Sequence, residues 1–112
     1  MWSPQSGRVM PNLAYRKGTR YEKKTRAWLE SFGYYVVESR GSHGLFDGVA
    51  ISSERVLLYE VKTSRPVYDE KRAAMLVMRV PSNVYRCIVT WKGYARAPVV
   101  EWLGRVPGEG LG

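Results

Sequence analysis

The chain has 112 residues, 45% of them hydrophobic, with 18 Lys and Arg against 10 Asp and Glu. That length fits one domain with its own core, and a formal charge of +8 favours an anionic partner, nucleic acid ahead of a membrane surface. A single cysteine excludes an intrachain disulfide framework, one Cys and one His cannot make a structural zinc site, and no apolar run approaches the length of a membrane span. With no hydrophobic signal core near Met1, the expectation is a soluble intracellular protein, cytoplasmic and nucleoid-associated, with no membrane partner and no small-molecule cofactor.

Residues 1–14 contain Pro4, Gly7 and Pro11 and no period, and are expected to be a basic flexible arm. From Thr19 to Phe32 the pattern is helical. Tyr21, Thr25, Trp28, Leu29 and Phe32 fall on one face, with Gly18 and Thr19 as start signals and Gly33 as the stop. Glu22 lies at the edge of that apolar stripe, and Arg16, Lys17, Arg20, Lys23 and Lys24 surround it. Such a run reads either as a solvated helix face or as the footprint of a polyanion.

Tyr34 to Glu38 is β-rich, and residues 39–44 form a loop that carries Arg40, Ser42 and His43. The next two runs carry the argument. Asp47 to Ile51 and Val56 to Lys62 read as strands joined by the turn Ser52-Ser53-Glu54-Arg55. A four-residue turn puts Ile51 opposite Val56, Val49 opposite Leu58, and Asp47 opposite Glu60. Directly opposed Cβ atoms are about 4.5–5.5 Å apart. Two carboxylates at that spacing repel unless a cation sits between them. Glu60 and Lys62 share a face, with Val61 on the other. Both faces of the hairpin are apolar, as in a sheet covered on both sides.

Thr63 to Tyr68 turns at Pro66, Asp69 to Arg79 reads as a second helix, and Pro81 ends it. Val84 to Trp91 is a strand that holds Cys87 as a buried thiol, and Pro98 to Leu103 is an edge strand. Tyr85, Trp91, Tyr94 and Trp102 either fill the core or form a subunit contact. Residues 104–112 carry four glycines and a proline and are expected to be disordered, leaving 15–103 as the folded domain. The fold class is α/β: a small central mixed sheet flanked by helices.

The spacing Asp47, then Glu60-Val61-Lys62, fits a Mg²⁺-dependent phosphodiesterase. A hard cation takes oxygen ligands, here Asp47, Glu60 and the Val61 carbonyl, with Glu22 for a second ion or a bound water. Lys62 would orient the attacking water or hold a phosphate oxygen. Arg40, and further along Arg65, Lys71 and Arg72, are candidate phosphate contacts, although a solvated helix start explains Lys71 and Arg72 equally well. His43 reads as a surface loop residue. Glu-x-Lys alone is a weak signal, since it occurs on many exposed strands. The matching Asp47, the helical Glu22 and the basic chain strengthen it.

Tyr15-Arg16-Lys17-Gly18, Glu22, Phe32-Gly33-Tyr34-Tyr35-Val36-Val37, Ser39-x-Gly41-Ser42, Asp47-x-Val49-Ala50 and Glu60-Val61-Lys62 resemble the archaeal-type Holliday junction resolvases. These are homodimers in the PD-(D/E)xK nuclease superfamily. The resemblance covers about Tyr15 to Thr63. It implies a restriction-endonuclease-like nuclease core, catalytic Glu22, Asp47, Glu60 and Lys62, and Ser42 near the scissile phosphate. It also implies Arg16 and Lys17 as DNA contacts, Mg²⁺ or Mn²⁺ as cofactor, and symmetric paired nicks in a four-way DNA junction. Phe46 stands where the motif's proline would be, and the segment after Lys62 looks shorter than in the family. Competing readings are a related nuclease with a flap, restriction-like or homing substrate, an RNA-processing nuclease, and a basic DNA-binding module without catalysis.

Overall fold

The computed structural model describes residues 13–39, 44–63, 67, 69–93, 95–108 and 111, with side chains from residue 19 onward. Among these residues the elements are α1 (Leu13–Glu30), β1 (Tyr35–Glu38), β2 (Gly48–Ile51), β3 (Val56–Lys62), α2 (Asp69–Val77), β4 (Val84–Thr90) and β5 (Val99–Leu103). The strands make one sheet in the order β1-β2-β3-β4-β5. Neighbours are antiparallel except β3 and β4, which run parallel. A parallel pair needs a crossover, and α2 lies in it. The sheet is the expected small mixed one, flanked by helices.

α1 starts at Leu13, ahead of the expected start at Thr19 and inside the segment expected to be an arm. Gly18 does not break it, because an interior glycine costs a helix only about 1 kcal/mol relative to alanine. Gly33 does end it. Its φ is +92°, a conformation that favours glycine. The Tyr34 N–H donates to the Leu29 carbonyl at 3.3 Å, and the Gly33 N–H donates to the Glu30 carbonyl at 2.9 Å. These are the bonds of a glycine C-cap.

The buried face of α1 carries Tyr21, Thr25 and Leu29, packed on Val36, Ala50, Leu57, Tyr59, Cys87 and Val89 of the sheet. The polar member of that stripe is fully satisfied. The Thr25 hydroxyl donates to the Tyr21 carbonyl at 2.7 Å and accepts the Trp91 indole N–H at 2.8 Å. On the opposite sheet face Met75 of α2 packs with Ile88, Leu103 and Val67, flanked by Leu45 and Phe46. A nine-residue helix is only about 14 Å long. It covers the β3–β5 side, so the expectation of two covered faces holds for half the sheet. At the β1–β2 side Tyr35, Val37 and Ile51 stay 71%, 47% and 41% exposed.

Trp91 is buried, and Tyr85 packs edge-on against Trp102 at 6.4 Å with both rings partly buried, so these aromatics contribute to the core. Tyr94 lies outside the described residues. Residues 104–108, expected to be disordered, lie against the body. Arg105 donates to the carbonyls of Pro81, Ser82 and Val84 and stacks on Tyr85, while Pro107 is buried. No helix among the described residues is long and apolar enough to cross a membrane.

Candidate active site

The β2–β3 register is the expected one: Ile51 opposite Val56, Ala50 opposite Leu57, Val49 opposite Leu58 and Gly48 opposite Tyr59. One step further it places Asp47 opposite Glu60. Asp47 is fixed from three sides. Its N–H donates to the Tyr59 carbonyl at 2.8 Å, and its carbonyl accepts the Ser39 N–H at 2.8 Å. Its carboxylate Oδ2 accepts the Val61 N–H at 2.7 Å. Backbone bonds to both neighbouring strands thus lock the aspartate at the mouth of the hairpin.

Glu60 is 4% exposed, which is unusual for a carboxylate. Its Oε2 accepts the Lys71 ammonium of α2 at 2.5 Å. Its Oε1 is buried and has no hydrogen-bond partner among the described residues. The Glu60 carboxyl is raised to about 7, chiefly by burial; the Lys71 hydrogen bond opposes the rise and the neighbouring Asp47 carboxylate adds to it. A buried, partly unpaired carboxylate beside a second one is a donor set that suits a hard divalent cation. Such an ion needs only one or two carboxylates when waters and a carbonyl complete its shell.

Glu22 sits at the rim, on α1. Burial raises its carboxyl above the ordinary range, and the charges of Asp47 and Glu38 raise it further. Those carboxylates therefore feel one another across the sheet end. Among the described residues no group of three or more His, Cys, Asp and Glu side chains is drawn tightly enough to hold a metal ion. The built site is thus the Asp47–Glu60 pair, with Glu22 outside it. Lys62 lies on β3 opposite Thr90, and makes no ion pair among the described residues. Val61, between the two, donates its N–H to Asp47.

Arg20 and Lys23 are exposed on α1, and the Arg20 guanidinium lies 5.2 Å from the centre of the Tyr21 ring. Arg16 and Lys17 belong to the first turns of α1, but their side chains lie outside the described residues, as do Arg40, Ser42, His43 and Arg65.

Two further residues belong to the site. Lys71, expected as a phosphate contact or part of a solvated helix start, meets Glu60 instead, and no spacing in the chain ties the two together. Glu38 could have been found, because β1 pairs with β2 so that Glu38 faces Gly48, next to Asp47. It is held by Arg26 at 3.0 Å, and Arg26 also bonds Glu30 at 3.2 Å.

No family model matches the chain. The crossover junction endodeoxyribonuclease Hjc of Methanocaldococcus jannaschii is 42% identical over 50 residues, 45% of this chain. The match spans 37% of that relative's length. The 1.6 Å structure of Hjc from Archaeoglobus fulgidus, a Holliday junction resolvase from an archaeal hyperthermophile, superposes with a TM-score of 0.64 at 18% identity. That superposition covers 81% of this chain and 79% of the other. In a local stretch of sequence and in overall fold the chain resembles the archaeal-type Holliday junction resolvases, and its core is restriction-endonuclease-like.

Proposed function

We propose that the chain is a divalent-metal-dependent DNA endonuclease that resolves four-way junctions by paired symmetric nicks, acting as a homodimer. The observation that carries this reading is the Asp47–Glu60 pair on adjacent strands, with a buried carboxylate oxygen that lacks a partner, inside a resolvase-like fold. Asp47, Glu60 and the Val61 carbonyl would hold Mg²⁺, with Mn²⁺ as a substitute. When bound, the ion supplies Lewis acidity, which stabilises charge on the phosphate and makes water a better nucleophile.

The chain's own residues do the rest. Lys62 holds a phosphate oxygen or orients the attacking water, and Glu22 accepts hydrogen bonds from water at the rim. Arg16, Lys17, Arg20 and Lys23 line α1 and grip the backbone. Arg40 and Ser42, which precede Asp47 in the sequence, are assigned as contacts of the scissile phosphate. Phosphate contacts of this kind make affinity fall steeply with salt. A two-fold dimer matches a two-fold junction, which accounts for paired nicks. The bare apolar sheet face at Tyr35, Val37 and Ile51 is the surface offered to a second copy.

The test is cleavage of a labelled synthetic four-way junction with Mg²⁺ and with EDTA, beside linear duplex of the same arms. Symmetric nicks in the junction, dependent on metal and lost in Asp47→Asn while binding persists, are expected. Cutting of linear duplex as well keeps the nuclease and removes the junction assignment. Binding without cutting in Mg²⁺ and Mn²⁺ leaves a DNA-binding module.

A further inference from the structure

Buried charge has to be compensated, and in this chain the compensation at Glu60 comes from an unexpected element. Lys62, two residues away on the same strand, does not supply it. The ammonium is that of Lys71, the third residue of α2, 2.5 Å from Glu60 Oε2. The Lys71 side chain is 31% exposed, so its flexible stem can carry the head into water at small cost. Glu60 has no such escape, being enclosed on the strand with Oε1 already unpartnered.

The position of α2 is itself fixed. Arg86 of β4 donates to the carbonyls of Met75, Leu76 and Met78. Arg72 pairs with Glu101 of β5. Lys71 is therefore presented to Glu60 by a pinned helix. An ammonium and a divalent cation compete for the same carboxylate, because each is attracted by its charge and its lone pairs.

Resting on the metal-site reading above, we infer that Lys71 is a positioning residue, an internal counter-cation for Glu60. It holds the carboxylate in place while no metal is bound, and yields Oε2 when a divalent cation arrives. It thereby sets the affinity of the site for the ion.

The experiment is calorimetric titration of Mn²⁺ into the wild-type chain and into Lys71→Met, Lys71→Arg and the double variant Lys71→Met/Glu60→Gln. Thermal unfolding in EDTA is recorded for each. Lys71→Met is expected to bind Mn²⁺ roughly threefold to tenfold tighter, the scale of a partly exposed ion pair given up on binding. Lys71→Arg keeps the pair and stays near the wild-type affinity. In EDTA, Lys71→Met melts below wild type, and the double variant recovers the loss because no buried charge remains at position 60. Folded Lys71→Met that binds Mn²⁺ no tighter than wild type overturns the role of Lys71 and leaves the metal site standing. Absence of Mn²⁺ binding in both wild type and Lys71→Met removes the metal site and this inference with it.

Discussion

Gly48 shows how single residues hold the site. A Cβ built there would come within 2.4 Å of the Tyr59 hydroxyl and 2.8 Å of the Val37 carbonyl. The Tyr59 ring lies over the bare Gly48 backbone; Gly48 follows Asp47 in the chain and Tyr59 precedes Glu60. Gly48→Ala is therefore expected to destabilise by about 1–3 kcal/mol, the usual range for overpacking, measured by urea unfolding. Tyr59→Phe in that background recovers only part, since the Val37 carbonyl still obstructs the methyl. Cys87 is the opposite case, a residue with no reactive role. Burial pushes its thiol up to about 12, and thiolate is the reactive form. Native protein should not react with a thiol reagent at mildly alkaline pH, and should react fully in concentrated guanidinium. Fast labelling of the folded chain would show that β4 opens.

At the scale of elements, α2 depends on a neighbour for its end. Its last turn has no basic residue, although the C-terminal dipole favours one. Arg86 supplies that charge from β4, and its Nη1 reaches the carbonyls of Met75, Leu76 and Met78 at 2.7, 2.9 and 2.9 Å. Its Nε is buried without a partner among the described residues. Arg86→Met leaves those carbonyls without their donor and is expected to cost about 2–4 kcal/mol. Hydrogen exchange checks the location: the amides of α2 should lose protection before those of β3 and β4. Uniform loss across the sheet would mean that Arg86 supports the whole core and not α2.

The whole molecule is lopsided. One sheet face is covered by the 18-residue α1, while among the described residues the other is covered over β3–β5 by α2 and the segment around Phe46. Tyr35, Val37 and Ile51 make the remainder an apolar exposed surface. A homodimer through this face is expected to dissociate in the double variant Val37→Asp/Ile51→Asp, with circular dichroism unchanged because these side chains are exposed within one chain. Sedimentation velocity checks it. In the junction assay the same variant should lose the pairing of nicks. A variant that stays dimeric places the interface elsewhere.

The sequence by itself determined what is local and periodic. The β2–β3 register followed from a four-residue turn and alternation. The Asp47–Glu60 pair followed from that register, because a strand repeats every two residues. The buried face of α1 and its stop at Gly33 were legible for the same kind of reason. The helix start at Leu13 was not, since one glycine weighs little against a continuing helix. Tertiary structure alone decided which ammonium meets Glu60. Lys62 is nearer in the chain, but Lys71 arrives on a crossover helix whose placement depends on Arg86 and on the parallel β3–β4 pair. It also decided which apolar residues stay bare, because coverage depends on the length and position of α2, which no alternation within β1 or β2 encodes.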